Sequence, residues 1–483
     1  MIAWMNEETL DPDNWDDLRR LGHQMLDDML NWSQTLRERP AWQPMPDEVK
    51  VRLQKDLPRE PQDLRDVYND FLTDVLPFPI GNQHPRFWGW VHGTGAPLGM
   101  LAEMLAAGMN PNAGFGEQSA VYLEKQVLDW CKEMLGFPSE SNGILVSGCT
   151  MANLTALTVA RNARAGFDVQ QEGLQNSGSH LVLYGSTETH NSIEKAIQVL
   201  GLGGGSLRRI PANPDFQIDL DALKRAIAAD RAKGLKPFCV VGNAGTTNTG
   251  ATDDLQGLAD VCDAEDLWFH VDGAFGALAA LSPKHRTALK GMERADSLAF
   301  DLHKWMSIPY ESGCVLIRNE EQHRRAFSAS GAYLLPLSRG VASGIWFSHY
   351  GIELSRGFRA LKIWMSLKGQ GVDQYRRIIE QNISQAAYLA SLIERSQDLE
   401  LLAPVPLNIV CFRFVRQGLD EARLAELNKE ILLRLQEGGI AVPTYTTIKG
   451  KFAIRCSITN HRSRREDFEL LIDNVVRIGG EIS

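Results

Sequence analysis

A lysine and an aspartate follow two candidate strands in the middle of the chain. Lys304 lies in the segment DLHKW (301–305), and Asp272 lies in HVDGA (270–274). Taken alone, a His-Lys pair is most often a solvated surface feature, and an aspartate that ends a strand is commonly a turn or helix cap. Together they supply what pyridoxal 5′-phosphate (PLP) chemistry requires: an amine that forms an imine, and a carboxylate that keeps the pyridine nitrogen protonated.

A third segment, VSGCTMANL (146–154), has small residues where a helix is predicted to begin. Free backbone N–H groups and the helix dipole at such a start can bind a phosphate, and the Thr150 hydroxyl can add a bond. A capped helix with no ligand explains the same pattern equally well.

A fourth segment, STETHNS (186–192), follows a candidate strand and precedes a helical pattern. Its histidine, His190, is suitably placed to stack on a planar cofactor ring at the end of the strand. By itself, His190 is more typical of an ordinary loop or capping histidine.

The elements that must position these residues follow an α/β pattern. Between residues 86 and 375, short apolar runs alternate with amphipathic stretches such as 219–233 and 253–265, which predicts a mostly parallel sheet covered by helices. The candidate strands are 180–185, 238–242, 267–272, 297–301 and 314–318. This layout fixes a fold class and leaves the chemistry open.

The two ends of the chain have different patterns. Residues 1–85 contain an amphipathic helical stripe from Leu18 to Trp32 and then several prolines, which indicates an appendage that needs a partner surface. Residues 376–483 alternate helices with strands at 408–415 and 452–458, which predicts a small α+β domain. The large domain is therefore expected at 86–375.

Composition narrows the class of partner. The 483-residue chain carries a net charge of −10, which argues against a nucleic-acid partner and favours a small-molecule substrate. Its seven cysteines are scattered singly, so neither a metal site nor a disulfide framework is predicted. The acidic start and the lack of a run of ~20 apolar residues predict a cytoplasmic protein without a membrane segment.

The four segments SGxTxANL, THxSxEKA, HVDGA and DxHKW occur together in a known family order. The chain resembles the group II PLP-dependent amino-acid decarboxylases, especially the aromatic-L-amino-acid decarboxylase branch, from about His84 to Arg376 and more weakly beyond. The resemblance implies PLP as cofactor and the fold type I, aspartate-aminotransferase-like architecture, with a mostly parallel central sheet and a small C-terminal domain. It also implies a homodimer whose active sites are shared between subunits, with the N-terminal helices packing on the partner.

The resemblance also implies individual roles. Lys304 would be the Schiff-base lysine, Asp272 would pair with the pyridinium nitrogen, and His190 would stack on the ring and help to orient the substrate. The remaining implied cofactor contacts are Ala274 against the other ring face, Gly148, Cys149, Thr150 and His303 around the phosphate, and Thr246 near the ring substituents. Cys149 stands where many relatives have glycine or alanine, and its thiol could make the site sensitive to oxidation.

The expected reaction is loss of the α-carboxylate as CO2, followed by protonation of the α-carbon. The resemblance assigns that protonation to Tyr333, in a stretch rich in small residues that is typical of a mobile lid. The implied substrate pocket consists of Trp88, Trp90, His92, Phe115 and Ser355. Its aromatic residues favour an aromatic substrate, His92 leaves a polar substrate open, and Ser355 leans towards a phenolic one.

Several alternatives remain open on the sequence alone. An aldehyde synthase of the same family is disfavoured because those relatives usually replace the lid tyrosine with phenylalanine, and decarboxylation of an acidic or other amino acid remains possible. An aminotransferase would anchor the substrate carboxylate with an arginine such as Arg455, which we expect instead to pair with a local carboxylate. A non-catalytic protein of the same fold is disfavoured because every residue that the chemistry requires is present.

Overall fold

The computed structural model describes residues 8–175, 180–328 and 336–482, which form two sheets with flanking helices. The larger sheet has seven strands in the order β1-β7-β6-β5-β4-β2-β3. Its strands are β1 (Asn142–Val146), β2 (Leu181–Ser186), β3 (Leu207–Ile210), β4 (Lys236–Asn243), β5 (Trp268–Asp272), β6 (Ser297–Asp301) and β7 (Gly313–Ile317). Strands β3, β2, β4, β5 and β6 run parallel, and β7 pairs antiparallel with both β6 and β1.

The second sheet is antiparallel throughout and lies in the C-terminal part of the chain. Its four strands, in the order β10-β11-β9-β8, are β8 (Leu399–Leu401), β9 (Ile409–Phe414), β10 (Thr444–Ile448) and β11 (Lys451–Ser457). Together the two sheets confirm the expected fold type I architecture, with a mostly parallel central sheet and a smaller α+β unit.

The described residues also form sixteen α-helices. They are α1 (Trp15–Gln34), α2 (Asp47–Arg52), α3 (Leu64–Asp70), α4 (Pro97–Met109), α5 (Ser119–Leu135), α6 (Cys149–Arg164), α7 (Val169–Glu172), α8 (Asn191–Val199), α9 (Leu220–Ala232), α10 (Leu255–Glu265), α11 (Leu302–Trp305), α12 (Glu320–Phe327), α13 (Arg359–Gln370), α14 (Val372–Glu394), α15 (Glu421–Glu437) and α16 (Arg465–Ile482). None of the helices within these ranges is long and apolar enough to cross a membrane.

The parallel strands explain why polar residues from distant parts of the sequence meet. Four of them, β2, β4, β5 and β6, end at Ser186, Asn243, Asp272 and Asp301. Because parallel strands bring their carboxyl ends to one edge of the sheet, these four side chains lie along the same crevice. All four are buried, so the edge is a polar floor beneath the loops and helix starts that follow the strands.

The segment after Pro85 packs on the small sheet. The Trp88 amide donates to the Val442 carbonyl at 2.9 Å, and the Ser457 amide donates to the Trp88 carbonyl at 2.9 Å. The Trp88 ring is fully buried and lies 5.0 Å, between centroids, from Phe468 of α16. The segment around Trp88 therefore packs on the C-terminal unit before the chain enters the large sheet. The predicted boundary at 85/86 assigned this segment to the large domain.

Candidate active site

A cavity of about 430 Å³ opens at the carboxyl edge of the parallel strands. The predicted site residues that line it are Gly148, Cys149, Thr150, His190, Thr246, Asp272, Ala274, His303, Lys304 and His92. The structure thus brings together every residue that the sequence assigned to cofactor binding, and one of the five that it assigned to the substrate pocket.

Lys304 lies on the single helical turn α11, directly after β6. Its ammonium nitrogen lies 3.0 Å from Oδ2 of Asp301, the residue that ends β6, and its side chain is 20% exposed. Burial alone would lower the pKa of Lys304, but nearby negative charge, chiefly that of Asp301 and also that of Asp272, more than offsets this and raises the pKa above the ordinary range for lysine. Before any cofactor reacts, the amine is therefore held as a charged partner of Asp301.

Asp272 is a buried carboxylate at the end of β5. Its Oδ2 accepts a bond from Asn153 Nδ2 at 3.0 Å, and its Oδ1 accepts bonds from the Ala274 amide at 3.1 Å and the Cys149 thiol at 3.5 Å. Asn153 and Cys149 both lie on α6, one turn apart. Three donors therefore fix the position of this carboxylate at the cavity wall.

The start of α6 forms the opposite part of the cavity. Gly148 caps this helix, and the first intrahelical bonds begin at the amides of Met151 and Ala152, both of which donate to the Gly148 carbonyl. The amides of Cys149 and Thr150 belong to the first turn, where helix geometry provides no intrahelical acceptor. A Cβ atom on Gly313 of β7 would lie 2.5 Å from the Gly148 Cα, so position 313 requires glycine.

His303 lies beside this helix start. A Cβ on Gly148 would lie 3.3 Å from the His303 ring, which shows how closely the two pack. The His303 Nδ1 accepts a bond from the Ser312 amide at 3.1 Å, so the neutral ring carries its proton on Nε2, 3.6 Å from Asp301. Burial lowers the pKa of His303 to about 4, which keeps the ring neutral at physiological pH.

His190 caps α8 and lines the same cavity. Its Nδ1 accepts from the Ser192 amide at 3.2 Å and lies 2.9 Å from the Ser192 hydroxyl. That hydroxyl accepts a bond from Asn153 Nδ2 at 3.0 Å, so its own proton is free to point at His190. Nδ1 is therefore an acceptor, the neutral ring holds its proton on Nε2, and burial lowers the pKa of His190 below its ordinary value.

The loop after β4 supplies the remaining wall. Thr246, predicted to lie near the ring substituents, has its hydroxyl 3.1 Å from that of Thr249. Gly245, which precedes it, has a φ of 84° and lies against the ring of Phe275, where a Cβ would be 3.1 Å away. Only glycine combines that backbone conformation with that space.

Arg455 has no carboxylate partner among the residues that the structure describes, so the prediction that it pairs with a local carboxylate is wrong. Its guanidinium is buried and donates to the backbone carbonyls of Trp90 at 2.9 Å and Asn248 at 3.2 Å, and also to the Thr247 carbonyl. Because these carbonyls occupy its donors, Arg455 joins β11 to the 246–249 loop instead of presenting a free cation to the cavity.

The other predicted pocket residues have different surroundings. Trp88 lies in the core of the small domain, where its indole donates to Ser463 at 3.1 Å, so its assignment to the pocket is wrong. Trp90 is half exposed and stacks on His92, with the ring centroids 5.4 Å apart, and Phe115 stacks on Trp346 at 4.6 Å. Ser355 lies on the surface of the chain. Tyr333 lies outside the described residues.

The structure adds two residues that sequence reasoning passed over. Tyr310 lines the cavity, with its ring 4.4 Å from that of His303 and its hydroxyl accepting a bond from the Gly93 amide at 2.9 Å. Asn153 holds both Asp272 and Ser192. The sequence could have indicated Asn153, because it lies four residues after Cys149 and this spacing places both residues on one face of α6.

The side chains and loops suit PLP. A lysine amine and a buried carboxylate line one cavity, and the start of α6 offers amide donors suitable for a phosphate. The buried Oδ1 of Asp301 has no hydrogen-bond partner among the described residues, as expected of a site built to receive a further polar group. Lys304 would bind the aldehyde, Asp272 the pyridine nitrogen, and the first turn of α6 the phosphate.

Comparisons with known proteins agree with this fit. Residues 46–415 match the model of the pyridoxal-dependent decarboxylase conserved domain. Over 472 residues the chain is 36% identical to an aromatic-L-amino-acid decarboxylase of Bacillus atrophaeus, covering 97% of this chain and 96% of that protein. It is also 28% identical to tryptophan decarboxylase 2 of Oryza sativa subsp. japonica, covering 99% and 98% of the two chains.

Solved structures show the same architecture. The structure of Catharanthus roseus tryptophan decarboxylase in complex with L-tryptophan superposes with a TM-score of 0.88 at 25% identity, covering 98% of this chain and all of the other. The structure of Oryza sativa TDC with PLP and tryptamine superposes with a TM-score of 0.91 at 24% identity over the same shares and supports the fold. Together with the lysine, the carboxylate and the helix start at one cavity, these matches show that the chain belongs to the pyridoxal-dependent decarboxylase family and is a PLP-dependent amino-acid decarboxylase.

Proposed function

We propose that this chain decarboxylates an aromatic L-amino acid to the corresponding amine and CO2. The observation that carries the proposal is that the Lys304 amine and the Asp272 carboxylate line one cavity, beside the helix start that suits a phosphate. The aromatic rings of His92 and Tyr310 stand at that cavity, 6.4 Å apart between centroids in an edge-to-face arrangement. Aromatic walls of this kind favour a flat apolar side chain. The aromatic-L-amino-acid decarboxylase relative supports the same substrate class.

Bound PLP supplies an electron-accepting ring next to the carbon that carries the departing carboxylate. Lys304 would bind the cofactor through its amine, and Asp272 would maintain the proton on the pyridine nitrogen. Three donors hold the Asp272 carboxylate in place for that role. The first turn of α6 and His303 would bind the phosphate, with Thr246 and Ala274 near the ring.

His190 would stack its imidazole on the cofactor ring, and its ring proton is on Nε2. That assignment follows from the two contacts of Nδ1 with Ser192, and it leaves an N–H donor available for the substrate. We propose that Tyr333 delivers the proton that the α-carbon needs after CO2 has left. A tyrosine at that place supports amine formation over the aldehyde synthase outcome, because those relatives usually carry phenylalanine there.

The proposed products can be tested directly. Purified protein supplied with PLP is offered the common amino acids under air, and CO2, amine, aldehyde, peroxide and oxygen uptake are measured. We expect the highest kcat/KM for an aromatic substrate. Stoichiometric aldehyde and peroxide would overturn amine formation, and faster turnover of an acidic amino acid would overturn the substrate class.

The lysine assignment has its own test. The Lys304→Ala variant should lack the yellow absorption band that a lysine-bound cofactor gives, and it should have no decarboxylase activity above background. His303→Gln is a suitable companion variant because it leaves the amine intact, and it should keep the yellow band. Persistence of the band in Lys304→Ala would contradict the assignment.

We also infer a homodimer, because the N-terminal part of the chain leaves apolar surface uncovered. Leu18 and Met25, both in the predicted stripe of α1, remain exposed, as do Trp15 and Leu30 on the same helix. A second copy that covers this face would bury these side chains. Sedimentation with activity measured across a dilution series tests this, and full activity in a monomer would contradict it.

All seven cysteines are buried free thiols, which supports a cytoplasmic location.

A further inference from the structure

A line of buried polar side chains runs from Asp272 away from the cavity into the core. Asn153 Nδ2 lies 3.0 Å from Asp272 Oδ2, and Asn153 Oδ1 lies 2.9 Å from His270 Nε2. His270 Nδ1 lies 2.8 Å from the Ser297 hydroxyl, which in turn lies 2.8 Å from the indole nitrogen of Trp268. Asn153, His270 and Ser297 are fully buried and Trp268 is 1% exposed, so water does not reach the line.

The Asp272 end of this line fixes the orientation of the first two partners. An ionised carboxylate only accepts hydrogen bonds, so the amide nitrogen of Asn153 must face Asp272. The amide oxygen of Asn153 then faces His270, whose Nε2 must carry a proton. Burial lowers the pKa of His270 to about 4, so at neutral pH the ring holds one proton only, and Nδ1 is a bare acceptor.

The bonds at the Trp268 end are compatible with this direction. An indole nitrogen can only donate, so the Ser297 oxygen accepts from Trp268. The Ser297 hydroxyl proton is then available to His270 Nδ1, the acceptor that the first argument required. Every donor along the line therefore points towards Asp272, and each bond polarises the next in the same sense.

We propose that His270 is a positioning residue, which locks the Asn153 amide so that its N–H group faces the Asp272 carboxylate. Without the His270 donor, the Asn153 amide can turn over and present its oxygen to that carboxylate, which exchanges an attraction for a repulsion. The inference rests on the proposed role of Asp272 at the pyridine nitrogen. It assigns to His270 a part in cofactor binding although its ring does not line the cavity.

Two substitutions at position 270 separate this role from simple packing. In His270→Gln the terminal amide nitrogen stands near the place of Nε2 and can still donate to Asn153. In His270→Asn the shorter side chain can still meet Ser297 but does not reach Asn153. Both variants are polar and smaller than histidine, so a packing defect would affect both. If packing were the only cause, the loss in His270→Asn would exceed the loss in His270→Gln only in proportion to the extra volume removed.

The measurements are the Kd of the full-length apoprotein for PLP, taken from the quenching of tryptophan fluorescence, and the kcat and KM of the reconstituted enzyme. For His270→Asn we expect Kd to rise and kcat to fall by roughly 10- to 100-fold, as for the loss of a hydrogen bond that supports a charged group, with little change in KM. For His270→Gln we expect recovery of most of both losses. Equal values for the two variants, at equal thermal midpoints, would overturn the inference.

A second measurement does not depend on how well the variants fold. Neutron diffraction from crystals of fully deuterated protein of unaltered sequence should show a deuteron on His270 Nε2 directed at Asn153, and none on His270 Nδ1. A deuteron on Nδ1 with Nε2 bare would overturn the proposed direction.

The Asp272→Asn variant separates the role proposed for Asp272 from the role proposed for His270. If this variant keeps ordinary cofactor affinity and kcat, the role proposed for Asp272 is wrong. If Asp272→Asn loses both while His270→Asn keeps both, the role of Asp272 stands and the inference about His270 alone is wrong.

Discussion

The amine of Lys304 lies 3.0 Å from the Asp301 carboxylate, three residues earlier in the chain and at the end of the neighbouring strand β6. Burial lowers the pKa of Lys304, and the charge of Asp301, together with that of Asp272, more than offsets this effect. An imine forms only from the neutral amine, so Asp301 holds the reactive nitrogen in its unreactive form until that proton is lost. On the role proposed for Lys304, this contact would raise the pH at which the cofactor is captured.

Replacement of Asp301 by asparagine should shift cofactor capture to lower pH. The Asp301 charge raises the pKa of Lys304, and burial acts in the opposite direction. With the Asp301 charge removed, less negative charge opposes the effect of burial, so the pKa of Lys304 falls and a larger fraction of the amine is neutral at any given pH. The measurement is the rate at which the yellow band appears when PLP is added to apoprotein, across a pH series.

The control for this experiment is Asp301→Glu, which keeps the charge and should keep the pH profile near that of the unaltered protein. A profile for Asp301→Asn that is unchanged or moved to higher pH would show that the carboxylate does not control the amine.

Cys149 should be unreactive despite its place at the phosphate-binding turn. The thiol is 7% exposed, and burial together with the Asp272 and Asp301 carboxylates raises its pKa well above the ordinary value. Because the thiolate is the reactive species, iodoacetamide should modify the native protein slowly at neutral pH. Cys149→Ala should change cofactor affinity by less than about fivefold, since a thiol is a weak donor. Rapid alkylation at this position, with parallel loss of activity, would restore the expectation that the site is sensitive to oxidation.

The candidate catalytic residues were predictable from the sequence because each follows a recognisable strand pattern. Asp272 and Lys304 follow short apolar runs, and the structure has all five predicted strands of the large sheet within two residues of their expected bounds. β1 and β3 were missed. The first, Asn142–Val146, is short and directly precedes the glycine-containing turn, and the second, Leu207–Ile210, contains two arginines that obscure its apolar character.

The surroundings of each site residue were less predictable, because they depend on contacts between distant segments. Trp88 and Trp90 are two positions apart, yet one is fully buried on the small sheet and the other is half exposed. No local pattern distinguishes a tryptophan that anchors a domain from one beside a substrate. For the same reason Arg455 was expected to meet a carboxylate, whereas its partners are carbonyl groups of loops more than two hundred residues away.

A buried ion pair should stabilise the chain behind the phosphate-binding turn. Arg356 and Glu124 are both fully buried, with nitrogen-to-oxygen distances of 2.6 and 3.0 Å, and both also bond to the backbone of Leu145 in β1. Arg356→Met leaves the glutamate without its partner and should destabilise the fold by about 3–5 kcal/mol. The loss should appear as a lower thermal midpoint and as weaker PLP binding, because β1 leads directly into that turn.

The double variant Arg356→Met with Glu124→Leu provides the control. It removes both charges, so its loss of stability should be smaller than the sum of the two single losses. Strict additivity of the two substitutions would mean that the pair contributes nothing beyond its separate side chains.

The surroundings of Arg455 distinguish a decarboxylase from an enzyme that binds the substrate carboxylate through an arginine. Its guanidinium is occupied by the carbonyls of Trp90, Thr247 and Asn248. Arg455→Met should therefore leave buried carbonyls without donors and cost at least about 2 kcal/mol of stability. It should also weaken binding of the amino acid and of its product amine to the same degree, because both depend on the 246–249 loop. Inhibition constants for an unreactive amino-acid analogue and for the matching amine measure this. A selective loss for the ligand that retains the carboxylate would show that Arg455 reaches the substrate, and would favour the clamp that decarboxylation disfavours.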